Sequence, residues 1–417
     1  MKKKKTTNYH NLLEKINDLI FDKGEDDSQQ KSSFSIIEVL IITFFAVLLG
    51  VLIGYFITKN NRMVLKNSNA AEIITTYNDI IDNYYEEIDE EKLAKEAIKG
   101  MVNSLEDPYS NYLDSEVSNT FAETVTGSFT GIGIMVIKSG SYNTIVQVKE
   151  NSPAQKAGLQ EEDIIIKVND KDVENVFGND FSNLIKKNEE PKVIITILRN
   201  GEEKEIEIEK KEIEIDTVSS KTFDDIGYLK ITTFSLNTYK QFNKELLKLE
   251  KEKISSLIID VRDNPGGHTK QTSEILNLFF NKKTVLYQLE SKEKKEKIYA
   301  NSKEKRTYPV VVLINKNTAS ASEILAACFQ EKYQNCLIVG ENSYGKGSVQ
   351  KTENLADGTT IKYTTEKWLT PNGKWLNEKG ITPDYKVSLS KKYYDTFNLK
   401  DDNQLQKAIE LLKEESK

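Results

Sequence analysis

Three segments in the last third of the 417-residue chain hold residue types able to carry acyl transfer. The first is Asp260-Val261-Arg262-Asp263-Asn264-Pro265-Gly266-Gly267, at the end of the apolar stretch SSLII. Its Pro-Gly-Gly predicts a tight turn with unobstructed N–H groups, which suits an oxyanion hole or a plain end to a strand. The second is Asn317-Thr318-Ala319-Ser320-Ala321-Ser322-Glu323, between the strand-like PVVVLIN and the helical EILAACFQ. Ser320 and Glu323 satisfy the S-x-x-E capping box, so an ordinary helix start is one reading. The other puts a Ser320 hydroxyl where the helix dipole and free N–H groups favour a developing oxyanion. The third, Gly340 to Gln350, reads GENSYGKGSVQ and imitates a phosphate-binding loop. Gly347 stands where that loop needs a hydroxyl for magnesium, and strand-like alternation follows instead of a helix, so a nucleotide site is rejected.

Composition narrows the alternatives. His10 and His268 are the only histidines, so a multi-histidine metal centre is excluded and a Ser-His-Asp triad would have to use His268. Two cysteines are too few for a disulfide scaffold or a zinc site of Cys pairs. A net charge of −7 argues against a nucleic-acid partner. The length predicts two or three domains.

The elements that must position the segments follow from periodicity. Val39 to Thr58 is a run without a charged side chain, and twenty residues at 1.5 Å each match a bilayer core of roughly 30 Å. Some thirty polar residues precede it, unlike the short basic start of a signal peptide, so an uncleaved anchor is expected. Flanking charges are nearly balanced and set no orientation. Ala71 to Leu105 shows helical spacing, and Asp107-Pro108 breaks it. From Gly127 to Glu212 short strands and turns dominate, and from Asp225 onward strands alternate with helices, which predicts a layered α/β core. Asp402 to Glu415 reads as an amphipathic helix.

Gly131-Ile132-Gly133-Ile134, the segment Ser152 to Leu159 (SPAQKAGL) and the strand Asp163 to Asn169 together resemble a PDZ domain. That resemblance implies that Gly131, Ile132, Gly133 and Ile134 bind a substrate's terminal carboxylate, with the peptide adding as a strand. Lys186 stands where related processing proteases often carry arginine. The three chemical segments, with Leu105-Glu106-Asp107-Pro108-Tyr109-Ser110, Leu369-Thr370-Pro371-Asn372-Gly373 and Gly380-Ile381-Thr382-Pro383-Asp384, resemble the carboxyl-terminal processing (tail-specific) serine proteases. The resemblance covers nearly everything after the apolar run. It implies Ser320 as nucleophile, Lys346 as general base, Gln350 as the residue orienting it, and an oxyanion hole from Gly266, Gly267 and Ala321. A free lysine at about 10.4 is useless as a base at neutral pH, so burial must lower Lys346 by roughly 2.4 units, on the order of 3.3 kcal/mol. His268 is then expected to be a solvent or cleft contact, and Trp368 and Trp375 to pack against the core.

The expected architecture is multidomain α/β and α+β. It comprises a cytoplasmic tail (1–33), a transmembrane helix (34–58), a juxtamembrane and helical region (59–115), a PDZ domain (116–212), a crotonase-like α/β protease core (213–400) and a C-terminal helix (401–417). The expected function is a membrane-anchored serine endopeptidase with its catalytic part outside the cytoplasm, acting on proteins or peptides with accessible C-terminal tails. No cofactor and no metal are implied. The amphipathic N-terminal helices are a candidate homodimer element. The alternatives are a catalytically silent PDZ adaptor that binds C-termini and a lipid-binding relative of the core.

Overall fold

The computed structural model describes residues 36–65, 68–186, 190–303, 306–396 and 398–415. The expected tail 1–33 and the first two positions of the expected span lie outside the described residues. The chain divides into two units, Met1–Leu93 and Ala94–Lys417. The first holds α1 (Ile36–Leu65) and α2 (Ser68–Asn83), and α3 (Glu90–Asn103) runs across the division. Among the described residues no helix is long and apolar enough to cross a membrane.

In the second unit β1 (Asn111–Leu113) leads into α4 (Ser115–Thr126), which starts on an Asp114 cap and stops at Gly127 in the left-handed region. Next come β2 (Ser128–Gly131), β3 (Ile134–Ser139), β4 (Tyr142–Val148), α5 (Pro153–Ala157), β5 (Ile164–Val168), β6 (Lys171–Asp172), α6 (Gly178–Lys186), β7 (Lys192–Arg199), β8 (Glu202–Glu209) and β9 (Lys211–Glu214). Strands β3-β4-β5-β7-β8 form one sheet, with β6 on β5, while β2 and β9 pair separately. The Ser-Pro…Gly punctuation has its physical basis in α5. Ser152 Oγ accepts from the Gln155 N–H at 3.2 Å, Pro153 fills the first helical position, and Gly158 closes the helix at φ 87°.

The remaining elements are β10 (Val218–Phe223), β11 (Ile226–Ile231), α7 (Thr238–Lys251), β12 (Ser256–Asp260), α8 (Thr269–Leu276), β13 (Val285–Glu290), β14 (Lys295–Tyr299), β15 (Val310–Ile314), α9 (Ala321–Lys332), β16 (Cys336–Gly340), β17 (Ser348–Asn354), β18 (Thr360–Leu369), β19 (Tyr385–Lys386), α10 (Lys391–Thr396) and α11 (Asn403–Glu415). The central sheet runs β10-β11-β12-β15-β16-β19, parallel from β11 onward. β12 and β15 are buried at every position, as a sheet covered on both faces demands. Leu257, Ile259, Val310 and Val312 pack toward α7, α8 and α9, whereas Ile258, Val311 and Leu313 face Leu405, Ala408 and Leu412 of α11. A second sheet, β1-β18-β13-β14 with β17 on β18, includes a strand from before the PDZ module: Asn111 pairs with Lys362. Neither composition nor periodicity signalled that long-range pairing.

The end of β12 is fixed by a buried ionic knot. Arg262 holds Asp260 (2.6 Å) and Asp402 (2.7 Å), donates to Gln404 Oε1 at 2.9 Å, and Tyr228 donates to Asp260 at 2.7 Å. Burial pushes the Asp260 carboxyl up, and the Arg262 charge and hydrogen bonds more than offset that. The knot ties α11 to the strand that carries the Pro-Gly-Gly turn. Arg262→Ala would leave two buried carboxylates unpaired, so a loss of about 3–5 kcal/mol in unfolding free energy is expected. A denaturant midpoint that stays at the wild-type value would contradict it.

Candidate active site

The three chemical segments follow the carboxyl ends of β12, β15 and β16, which are neighbours in the sheet. In open parallel sheets that edge is where crevices form. The turns are stitched together before any substrate arrives. The Asn264 carbonyl accepts from the Ala319 N–H and from Ser322 Oγ, both at 3.0 Å, Thr318 Oγ1 donates to the Val261 carbonyl at 2.8 Å, and the Tyr344 N–H donates to the Thr318 carbonyl at 2.9 Å. Ser322 is thereby buried and committed to structure, whereas Ser320 is half-buried at the start of α9.

Ser320 holds φ 56° and ψ −116°, a conformation costly for a residue with a Cβ. The strain is offset at one carboxylate. Glu323 is fully buried, and its Oε2 accepts from the N–H groups of Ser320 (2.8 Å) and Lys346 (2.9 Å). Its Oε1 accepts from Ser343 Oγ (2.5 Å) and the Gly345 N–H (2.7 Å). The Ser320 and Lys346 amides therefore lie within two hydrogen-bond lengths of each other. The segment that imitates a phosphate-binding loop does grip an anion with its backbone, but the anion is the protein's own glutamate.

Burial lowers the Lys346 amine to about 8, assisted by the charge of Lys362 and opposed by Asp107 and Glu323. Its Nζ lies 4.8 Å from the centre of the Tyr109 ring. The loop carrying it is hung from two indoles: Trp368 Nε1 donates to the Lys346 carbonyl at 2.6 Å and Trp375 Nε1 to the Gly347 carbonyl at 3.1 Å. Trp368 is fully buried as expected, while Trp375 remains exposed.

Gly266 sits against the Ser320 segment at φ 106°, and a Cβ there would come within 2.9 Å of Ser320 Cβ and 2.8 Å of the Ala319 carbonyl. Only glycine fits. Its N–H turns inward onto Asn264 Oδ1 at 2.9 Å, while those of Gly267 and Ala321 donate to nothing among the described residues.

The candidate carboxylate loop is similarly prepared. Ile132 is buried and its carbonyl accepts from the Ala154 N–H at 2.9 Å, and that of Gly133 accepts from Lys149 N–H at 2.9 Å. Gly133 has φ 83°, and a Cβ would meet Ser152 Cβ at 2.5 Å. Ile132 and Gly133 N–H groups donate to nothing among the described residues, and Ile134 opens β3. Beside Gly131, at the end of β2, lies a groove of about 1090 Å³ lined by Phe121, Phe129, Thr130, Asn179 and Lys186. Lys186 pairs with Glu123 of α4 at 2.7 Å and lies over the Phe129 ring.

Residues 225–387 match the model of peptidase family S41, 130–209 that of the PDZ domain, and 56–117 that of the activating protease CtpB N-terminal domain. The chain is 38% identical over 359 residues to the carboxy-terminal processing protease CtpA of Bacillus subtilis, spanning 83% of this chain and 77% of that protein. The chain belongs to the carboxy-terminal processing serine proteases of peptidase family S41. Proteins of Staphylococcus saprophyticus and Staphylococcus epidermidis, each named a probable CtpA-like serine protease, are 32% and 33% identical over 89% and 88% of this chain and 78% and 74% of theirs.

Two residues stand apart from the roles expected of them on sequence grounds. Gln350 donates to Ser348 Oγ (2.8 Å) and Thr364 Oγ1 (3.0 Å), so both donors of its amide are engaged away from Lys346. His268 is half-buried: its Nε2 has no partner among the described residues, its backbone N–H donates to the Phe234 carbonyl at 2.7 Å, and burial lowers its pKa against the Val125 carbonyl. Cys328 and Cys336 are not joined by a disulfide. Sequence reasoning missed the cover on the lysine. Tyr109, more than two hundred residues upstream, lies over the amine. The ordered motif around Asp107 and Tyr109 was the signal available, without a role attached to it.

Proposed function

We propose that this protease is a membrane-anchored endopeptidase whose PDZ module captures a C-terminal tail and whose Ser320–Lys346 dyad cuts the chain outside the cytoplasm. The carrying observation is the shared Glu323 oxygen, which gathers the Ser320 and Lys346 amides while the lysine is held near 8. The neutral Lys346 amine takes the Ser320 Oγ proton as Oγ bonds to the scissile carbonyl carbon. The carbonyl π pair moves onto oxygen, where the N–H groups of Gly267 and Ala321 are available to it. On collapse the C–N bond breaks and the leaving amine takes the proton from Lys346. A water, deprotonated by the same lysine, then bonds to the acyl carbon; the C–Oγ bond breaks and Ser320 Oγ takes the proton back from Lys346. The N–H groups of Ile132 and Gly133 are suited to a terminal carboxylate, with Gly131 supplying the approach and Ile134 the edge strand.

Exposure supports the anchor. Ile42, Phe44, Phe45, Val47, Leu49 and Val51 of α1 are each 57–65% exposed. A helix apolar all round needs a protein or lipid cover, and the sequence run Val39 to Thr58 has the length of a bilayer core. The exposed Ile73, Ile74 and Ile80 of α2 support a pairing surface between copies. A fluorophosphonate probe is expected to label the membrane-fraction protein at one serine and to leave Ser320→Ala unlabelled. Labelling that survives Ser320→Ala, or recovery of the chain in an alkaline carbonate wash, would overturn the corresponding half of the reading.

A further inference from the structure

We propose that the turn Asp107–Ser110, before the PDZ module, belongs to the base machinery: Tyr109 and Asp107 are positioning residues for Lys346, the tyrosine covering its amine and the aspartate fixing the tyrosine in place. The proposal rests on the Ser320–Lys346 reading above.

The turn is knotted to β18. Asp107 Oδ1 accepts from the Tyr109 N–H at 3.1 Å, and Oδ2 accepts from Ser110 Oγ and from Thr364 Oγ1, both at 2.6 Å. Ser110 Oγ in turn accepts from the Thr364 N–H at 3.1 Å, and the β1–β18 ladder begins one residue on. Burial raises the Asp107 carboxyl, and the Ser110 and Thr364 hydrogen bonds bring it below its ordinary value. With both hydroxyls and a backbone N–H engaged, Asp107 leaves Tyr109 little choice of position. The ring stands 4.8 Å from Lys346 Nζ, and its hydroxyl bonds to Tyr344, two residues before the lysine. Burial and that bond push the Tyr109 hydroxyl up to about 12, so it stays neutral and adds no charge beside the base. Gln350 joins the same knot, because its amide donates to the Thr364 hydroxyl that donates to Asp107. In this chain Gln350 therefore reaches the lysine through Thr364, Asp107 and Tyr109.

The two residues act on Lys346 in opposite senses. The groups facing the amine are Asp107 and Tyr109 from the turn, Glu323 from α9 and Lys362 from β18, with Tyr344 beside Tyr109. The Tyr109 ring excludes water, which disfavours the ammonium, and its quadrupole attracts the ammonium more weakly than the lost solvation. The Asp107 charge favours the ammonium. Asparagine at 107 can keep the knot, since the Ser110 and Thr364 hydroxyls can accept as well as donate.

The test is the pH profile of kcat/KM of the full chain on an unstructured protein substrate, for wild type, Tyr109→Phe, Tyr109→Ala, Asp107→Asn and Lys346→Ala. Tyr109→Ala is expected to move the acidic limb upward from about 8 and to lower kcat/KM at pH 7 about tenfold, one unit of neutral lysine. Tyr109→Phe keeps the limb in place, and Asp107→Asn moves it downward with an isosteric side chain that tests the idea independently of Tyr109. A merely structural turn would lower the plateau and move neither limb, which overturns the placement while Lys346→Ala, if inactive, leaves the dyad standing. Cleavage retained by Lys346→Ala would instead sink the dyad, and the proposal with it.

Discussion

Lys346→Ala is expected to cut kcat/KM on an unstructured protein substrate by about ten-thousand-fold or more, the scale found when one member of a nucleophile–base unit is removed. Lys346→Arg should be as inactive, although it keeps the length and the charge, because a guanidinium does not deprotonate. The sign of the pH dependence follows from which form works. Only the neutral amine can take the Ser320 proton, so the rate rises with pH through about 8 and levels above it. At pH 7 a lysine near 8 is neutral in about one molecule in ten, against about one in three thousand at its ordinary value. Burial thus supplies on the order of 300-fold in available base. A flat profile between pH 6 and 9, or an arginine variant with wild-type turnover, would remove Lys346 from the mechanism.

Glu323→Ala is expected to be the most damaging single change that spares the reacting groups. It strips the acceptor from the N–H groups of Ser320, Gly345 and Lys346 and from Ser343 Oγ. Unsatisfied buried donors cost about 1–3 kcal/mol each, so a loss of about 4 kcal/mol or more is expected even after local relaxation. Activity should vanish with it, because the strained Ser320 and the lysine loop lose the acceptor that their N–H groups share. Glu323→Gln is milder. Its amide nitrogen can face Ser343, whose hydroxyl can accept, while its oxygen keeps the Ser320 and Lys346 N–H groups; only Gly345 then opposes a donor. A fall in kcat/KM of about 10–100-fold with the fold intact is expected, consistent with about 1.4–2.8 kcal/mol. Denaturant unfolding and fluorophosphonate labelling rates check both variants, and an alanine variant that unfolds at the wild-type midpoint refutes the role given to Glu323.

Much of this was legible before any coordinates. The Ser-Pro…Gly helix, the strands flanking Ser320 and the two-histidine shortage are local or compositional, so periodicity, turn chemistry and residue types carry them directly. The S-x-x-E capping box was legible too, but only half its meaning. The Glu323 carboxylate caps its own helix and simultaneously holds a loop twenty residues on, and no local pattern distinguishes a capping glutamate from one with four donors. The oxyanion candidates were likewise visible as a glycine pair. That the Gly266 N–H is spent on Asn264 follows only from how the turn folds over its own side chain.

The sequence by itself determined the residue types: a serine at a helix start, a lysine in a glycine loop, a Pro-Gly-Gly turn, and too few histidines for the commoner base. Which of those groups meet, and how a lysine's pKa comes down to about 8, was decided by tertiary structure. The parallel order of β12, β15 and β16 puts three distant segments at one sheet edge. The pairing of β1 with β18 carries Tyr109 over Lys346 from the far side of the PDZ module. Desolvation is a property of everything packed around an atom, and a one-dimensional pattern holds no record of neighbours two hundred residues away.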